Sequence, residues 1–297
     1  MFIKNQRTIK NKVSCFGIGL HSGGFVNMSL LPAPIDNGIS FRRISTNKSV
    51  IGEIKAEYDL VSTTFLGTSL TSRDGKMKIA TVEHLMAALW GCGIDNMIVE
   101  VDSDELPIMD GSSDHFVFMI ESAGIVEQNA GRRFIEVLRK VDISEEGAHA
   151  SISPNNDFSV QMDIAFNDQI INKQSCSFFA NTNSFKIELS KARTFGFLKD
   201  VEHLKQRGLI KGGSLDNAIV IGENKVLNNN GLRYQDEFVR HKVLDSIGDL
   251  YLCGARIMGH FHGVKSGHTL NNKLLHKLLC DKSAWRMVQY NDHALAS

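Results

Sequence analysis

The sequence contains few cysteines, no long apolar run and no excess of charge of either sign. Its five cysteines are an odd number, and none forms a C-x-x-C pair. This pattern excludes a disulfide framework and a cysteine-rich zinc site, and it fits the reducing cytoplasm. No segment approaches the roughly 20 apolar residues that a bilayer-crossing helix needs. The 33 basic and 33 acidic residues create no overall field for nucleic acid or an anionic membrane.

What is present is a pattern of strands and helices that occurs twice. Helices are predicted over residues 81–91 and 237–253, and each is followed by glycine, a strand, a glycine-containing turn and another helix. We interpret the repetition as an internal duplication. The 297 residues therefore predict an α+β fold of two similar domains, 1–127 and 128–297, each a sheet covered by helices.

The two repeated helices carry candidate metal ligands. His241 and Asp245 lie four positions apart on one helix face and could chelate a divalent ion, although a simple hydrogen bond is the alternative. On the other helix, His84 could bind the metal while Glu83 accepts a proton from the attacking water; the alternative is a glutamate that interacts with the helix dipole. Two histidines and one aspartate, with a fourth position open, are typical of catalytic zinc, and iron(II) is the alternative.

Further histidines are candidates for acid catalysis or metal binding. His268 follows a glycine at a helix start, and Asp249 could orient and charge it, or could support a ligand. A charged histidine can protonate a leaving amine. His260 and His262 share one face of a predicted strand and form a competing metal pair, but strand histidines more often pack or form hydrogen bonds.

Eight stretches, spread in order over nearly the whole chain, form a joint pattern. They are GIGLHSG (17–23), TVEHLMAAL (81–89), IDNMIVEV (94–101), LPIMDGS (106–112), ARTFGF (192–197), RGLIKGGSLDNAIV (207–220), DEFVRHKVLDSIGDL (236–250) and KSGHTLNNKLL (265–275). Together they resemble the UDP-3-O-acyl-N-acetylglucosamine deacetylase family of lipid A biosynthesis.

This resemblance implies a zinc amidohydrolase that releases acetate from UDP-3-O-(3-hydroxyacyl)-N-acetylglucosamine and holds one zinc ion per chain. It implies a sheet–helix–helix–sheet sandwich with the metal at the domain junction. The implied metal ligands are His84, His241 and Asp245. The implied catalytic residues are the base Glu83, the acid His268, its partner Asp249 and the oxyanion donor Thr194.

The resemblance also implies residues that contact the substrate. Lys242 and Lys265 would suit the diphosphate, although sequence alone would favour ordinary solvated lysines. Phe195 could stack on a sugar or base, although most such aromatic side chains belong to the core. An insert near residues 197–220 would contain an acyl-chain passage; without the resemblance it reads as a helix and a strand packed on the core. The predicted passage residues are Leu198, Val201, Leu215, Ala218 and Val220, and Leu20 is a further predicted substrate-binding residue.

Two rival functions remain open from the sequence. A non-catalytic sugar-nucleotide or lipid binder would need neither Glu83 nor His268. A zinc peptidase is disfavoured because no H-E-x-x-H helix is present. For the deacetylase we expect a cytoplasmic monomer, inhibited by hydroxamates, without nucleic-acid binding or stable membrane insertion.

Overall fold

The computed structural model describes residues 4–180 and 184–290 and shows an α+β fold. The α-helices are α1 (Glu83–Cys92), α2 (Asp114–Ser122), α3 (Leu198–Gln206), α4 (Glu237–Tyr251) and α5 (His268–Cys280). A 3-10 helix (Tyr58–Leu60) and a π-helix (Phe185–Leu189) accompany them.

Strands make up the larger part of the regular structure. They are β1 (Asn5–Ile9), β2 (Val13–Ile18), β3 (Phe25–Pro32), β4 (Ile39–Ile44), β5 (Val50–Lys55), β6 (Val61–Thr63), β7 (Ser69–Thr71), β8 (Lys78–Ile79), β9 (Met97–Val101), β10 (Ile125–Gly131), β11 (Arg133–Val137), β12 (Val141–Glu145), β13 (Ala148–Ser153), β14 (Phe158–Ala165), β15 (Lys173–Phe179), β16 (Phe195–Phe197), β17 (Ile219–Ile221), β18 (Arg256–Val264) and β19 (Trp285–Gln289).

Two main sheets form from the two ends of the chain. The first has the strand order β2-β3-β9-β4-β5, in which β9 runs antiparallel to β3 and parallel to β4. The second has the order β12-β13-β18-β11-β19, and β14 and β15 extend it beside β18. Along β18, buried Ile257 and Phe261 alternate with more exposed residues, as expected for a sheet with one face on the core.

Helices α1, α2, α4 and α5 pack against one another and against these sheets. Every residue of α1 is buried, and the helix contacts α2 and α4. Helix α2 contacts β2, α4 contacts β14 and β15, and α5 contacts β12 and β13. The run from Leu85 to Leu89 consists of strong helix formers that are apolar all round, which suits a helix enclosed on every side. Gly93, with φ +69°, ends α1 in the left-handed conformation that glycine adopts readily.

A glycine lets the two central helices come close together. A Cβ atom at Gly248 of α4 would lie 2.1 Å from the carbonyl oxygen of Glu83 at the start of α1. No larger side chain fits without moving a backbone. Because of this close approach, the first turn of α1 meets the face of α4 that carries His241 and Asp245.

The predicted elements agree with these bounds, and the predicted α+β class is confirmed. The helices predicted over 81–91 and 237–253 are α1 and α4. The boundary predicted at residue 127 falls within β10, which pairs with β1, so the division into two domains stays a prediction. Within the proposed insert near 197–220, α3 connects the parallel strands β16 and β17.

Candidate metal centre and adjoining cavities

Three buried side chains from two helices form a candidate metal centre. His84 comes from α1, and His241 and Asp245 come from successive turns of α4. One potential ligand atom from each lies within 4.8 Å of the other two. Asp245 Oδ1 is 3.6 Å from His84 Nε2 and 3.3 Å from His241 Nε2. Across residues 4–180 and 184–290, no other three histidine, cysteine or acidic side chains converge in this way.

The hydrogen bonds around this centre leave the right atoms free for a metal. His241 donates from Nδ1 to the carbonyl oxygen of Ala192 over 3.0 Å, which points Nε2 towards the centre. Asp245 Oδ2 accepts a hydrogen bond from Lys242 Nζ over 2.8 Å, whereas the buried Oδ1 has no hydrogen-bond partner. A buried carboxylate oxygen without a partner is costly. A divalent cation would satisfy it, and two imidazole nitrogens with one carboxylate oxygen suit zinc.

The electrostatic environment of His241 and Asp245 favours the protonation states that metal binding requires. Burial lowers the pKa of His241 to about 3, despite the nearby Asp245 carboxylate, so the imidazole stays neutral. Burial alone would raise the pKa of Asp245, but the ammonium group of Lys242 holds it well below its usual range. A neutral imidazole and an ionised carboxylate are the forms that act as ligands.

Glu83 lies beside the candidate metal ligands at the first position of α1. Its carboxylate is buried and accepts a hydrogen bond from the backbone N–H of Thr68 over 2.9 Å. Burial raises its pKa, against the opposing effect of His268. A carboxylate with a raised pKa accepts protons more readily near neutral pH. The arrangement therefore suits a general base.

His268 and Asp249 form a hydrogen-bonded pair on the other side of the centre. His268 donates from Nδ1 to Asp249 Oδ2 over 2.9 Å, and its Nε2 is 3.9 Å from Asp245 Oδ2. Asn271 also donates to Asp249 Oδ2, over 2.9 Å. Burial alone would lower the pKa of His268, but Asp249 raises it to about 9. The imidazole is thus cationic near neutral pH and able to donate a proton.

A polar cleft opens at this centre, and a second, apolar cavity adjoins the cleft. A cleft of about 690 Å³ is lined by His241, Asp245, His268, Lys242 and Lys265. A mainly apolar cavity of about 500 Å³ follows it. Its lining includes seven of the predicted substrate residues: Leu20, Phe195, Leu198, Val201, Leu215, Ala218 and Val220. Thr194 and Phe195 line both spaces, so a ligand with a polar head and an apolar tail could occupy the two together.

Comparison with known proteins agrees with this geometry. The family model of the UDP-3-O-acyl N-acetylglycosamine deacetylases matches residues 6–280. The chain belongs to this family. Proteins named UDP-3-O-acyl-N-acetylglucosamine deacetylase are similar to it over almost their full length. The one from Stenotrophomonas maltophilia (strain K279a) is 50% identical over 97% of this chain and 95% of its own length. The one from Chromohalobacter salexigens is 50% identical over 97% and 94%.

The structure shows the surroundings of several side chains of this family member for which the sequence left two interpretations. Lys242 is not an ordinary solvated lysine, because it lines the cleft and pairs with Asp245. Burial alone would lower its pKa, yet Asp245 holds the pKa above its usual value. His260 contacts Ser159 and His262 contacts Asp163, and neither joins a cluster of three metal-binding side chains among the described residues.

Phe195 packs in the aromatic core and also faces the cavities, so both interpretations of the sequence apply to it. Its ring packs edge-on against Phe166 and Phe238, with centroids 5.8 Å and 5.1 Å away, as a core residue does. It also lines both cavities and lies 6.3 Å from the His241 ring. Phe195 is therefore fixed by aromatic packing at the junction of the two spaces, where a ligand would contact it.

The structure adds supporting residues that sequence reasoning missed. Glu237 is fully buried and accepts hydrogen bonds from the backbone N–H of Arg193 and from its guanidinium. This ion pair fixes the segment in which Ala192 accepts the hydrogen bond from His241 and Thr194 lines the cleft. In the sequence Glu237 resembles an ordinary glutamate at the start of a helix. Only its burial in the structure shows that it holds Arg193 in place.

Asn271 and Thr68 are the other residues missed. Asn271 follows His268 by three positions on α5, and that helical spacing could have suggested a shared partner. Thr68 gave no such signal, because it lies in a loop, 15 residues before Glu83 and 181 residues before Asp249.

Proposed function

We propose that this chain is a zinc-dependent amidohydrolase that cleaves the acetamide of UDP-3-O-(3-hydroxyacyl)-N-acetylglucosamine and releases acetate, an early committed step of lipid A biosynthesis. The observation that carries the proposal is the buried cluster of His84, His241 and Asp245, with Glu83 and the His268–Asp249 pair next to it. Family membership and the names of the relatives support the choice of substrate.

The proposed mechanism assigns one task to each side chain. His84, His241 and Asp245 would hold the zinc ion, which would supply Lewis acidity to the acetamide carbonyl and to the attacking water. Glu83 accepts the proton of the attacking water. Thr194, at the junction of the cavities, donates a hydrogen bond to the oxyanion that develops on the acetamide carbonyl. His268, which Asp249 keeps charged and oriented, donates a proton to the leaving amine.

The neighbouring groups suit the remaining parts of this substrate. Lys242 and Lys265 place two cationic side chains in the polar cleft, where the diphosphate would lie. The apolar cavity is suited to the hydroxyacyl chain, and Phe195 at its entrance is suited to contact with the sugar. In this arrangement the acetamide lies at the metal centre while the two ends of the substrate occupy different spaces.

No helix within the two described segments is long and apolar enough to cross a membrane. The cytoplasmic location, the monomeric state and the absence of nucleic-acid binding stay predictions from the sequence.

A deacetylation assay with the UDP-linked acylated substrate tests the proposed function. Wild-type protein should release acetate and the free amine in equal amounts, contain about one zinc or iron ion per chain, and lose activity with a chelator. Glu83→Ala should lower kcat by about 100-fold or more, since general acid–base catalysis contributes 10²- to 10⁴-fold. The exposed Glu223 offers a matched control, Glu223→Ala, which should retain wild-type activity.

Three results would contradict the proposal. The first is wild-type turnover by Glu83→Ala, which would remove the assigned base. The second is metal binding without turnover of the substrate, which would favour a binding protein. The third is a hydroxamate that fails to compete with the substrate, which would place the metal away from the binding site.

A further inference from the structure

Thr68 connects the two halves of the proposed acid–base machinery. It lies in the loop between β6 and β7 and is almost completely buried, with 1% of its surface exposed. Its backbone N–H donates to Glu83 Oε2 over 2.9 Å, and its hydroxyl donates to Asp249 Oδ1 over 2.6 Å. One residue therefore contacts both the carboxylate proposed as base and the carboxylate that orients the proposed acid.

We propose that Thr68 is a positioning residue that holds Glu83 and the Asp249–His268 pair in a fixed relation across the reaction centre. The assignment rests on the proposed function. The hydroxyl of Thr68 acts through Asp249, and Thr68 lines neither the polar cleft nor the apolar cavity.

The hydrogen bonds of Asp249 explain why the threonine hydroxyl matters. Asp249 Oδ2 is used by His268 and Asn271, each at 2.9 Å, so Thr68 supplies the donor for the other oxygen. With both oxygens held, the carboxylate cannot rotate, and His268 keeps one ring orientation. Without the hydroxyl, a buried charged oxygen would lack a partner, and rotation of the carboxylate would become the way to recover one.

The backbone of Thr68 is anchored independently of its side chain. Its carbonyl oxygen accepts a hydrogen bond from the N–H of Val82, immediately before α1, over 3.1 Å. Together with the bond to Glu83, this attaches the loop to the start of α1 by two backbone contacts. A side-chain substitution at position 68 therefore removes the link to Asp249 while the link to Glu83 stays.

The test compares Thr68→Val with Thr68→Ser in the full-length, metal-loaded enzyme. Valine has nearly the same shape but no hydroxyl, whereas serine keeps the hydroxyl. Thr68→Val should lower kcat by about 10- to 100-fold, the range usual when an outer-shell partner of a functional side chain is removed. KM should change little, because no substrate contact is lost. Thr68→Ser should restore most of kcat.

A matched control separates positioning from general stability. Thr71 lies on β7, and its hydroxyl bonds to Ser62 Oγ at 2.7 Å, away from both carboxylates. Thr71→Val removes a threonine hydroxyl only three residues further along the chain and should keep the wild-type kcat. A double-mutant cycle adds a second criterion: in an Asp249→Ala background, Thr68→Val should cause no further loss of kcat.

The outcomes distinguish this inference from the proposed function. If wild-type enzyme deacetylates the substrate and Glu83→Ala does not, while Thr68→Val retains the wild-type kcat, only the role of Thr68 is refuted. Full additivity of Thr68→Val with Asp249→Ala, or failure of serine to restore activity, would also refute it. If the wild-type enzyme does not deacetylate the substrate, the proposed function fails and this assignment fails with it.

Discussion

Replacement of Gly67 by alanine should impair proton transfer by Glu83, the proposed general base. The added Cβ atom would come too close to the Glu83 carboxylate. Gly67 precedes Thr68 and has φ +146°, a conformation that residues with a Cβ atom rarely adopt. An added Cβ would lie 2.8 Å from Glu83 Oε1, about 0.6 Å short of an ordinary contact of 3.4 Å. Since the N–H of Thr68 holds the other oxygen of Glu83, the carboxylate cannot simply swing away.

The expected effects of Gly67→Ala on stability and on activity follow from these two features. Backbone strain should lower the free energy of unfolding by about 1–3 kcal/mol. Displacement of the Glu83 carboxylate should lower kcat by roughly 10- to 100-fold, because a 1 Å misplacement of a reacting group can cost about 10²-fold. Chemical denaturation measures the first effect, and steady-state deacetylation measures the second.

Gly75 provides a control that separates the effect of backbone strain from the effect of displacing the Glu83 carboxylate. It has φ +72° in the turn between β7 and β8, and an added Cβ there meets nothing within 4 Å. Gly75→Ala should therefore lose stability, by about 1–2 kcal/mol, and keep the wild-type kcat. If Gly67→Ala loses stability to the same extent as Gly75→Ala but keeps its kcat, the reasoning that Gly67 makes room for Glu83 is refuted.

Two further predictions concern the apolar cavity and the ion pair behind the metal centre. Ala218→Phe should narrow the cavity of about 500 Å³ and raise KM for long-chain substrate much more than for a short-chain analogue; equal effects on both would show that the acyl chain lies elsewhere. Glu237→Gln should lower the free energy of unfolding by roughly 3 kcal/mol, because Arg193 keeps a buried, uncompensated charge. Glu237→Gln should also weaken zinc binding by about 10-fold, because it disturbs the segment in which Ala192 accepts the hydrogen bond from His241. A competition titration against a chelating dye would measure the zinc affinity. An unchanged zinc affinity would contradict this link.

The central helices and their chemistry were accessible from sequence because they depend on local periodicity. The apolar spacing that predicted helices over 81–91 and 237–253 also set which residues share a face, so His241 and Asp245 could be paired from their four-residue separation alone. The short strands β6, β7 and β8 were missed, since each spans two or three residues and has too little alternation to detect.

Other structural features could not be predicted from the sequence, because they depend on contacts between residues far apart in the chain. The separation between Thr68 and Asp249 is 181 residues, and no local pattern indicates that a loop hydroxyl meets a helix carboxylate. Lys242 looked like a solvated lysine because its position on α4 says nothing about burial beside Asp245. The sequence pattern of the cavity residues in 198–220 is equally consistent with core packing. Apolar side chains that line a cavity have the same spacing along the chain as those that pack in the core.

The sequence by itself determined which residue types could act as ligands, base and acid, and it placed His241 with Asp245 and Glu83 with His84, because those pairs share a single helical turn. Only the tertiary structure decided that the two helices meet. Their contact depends on the missing side chain of Gly248, which admits the backbone of Glu83. It also decided which atoms point inward, through the bonds from His241 to Ala192 and from Lys242 to Asp245. The physical reason is that a metal site needs donor atoms within a few ångströms in space, and separation along the chain does not fix that distance.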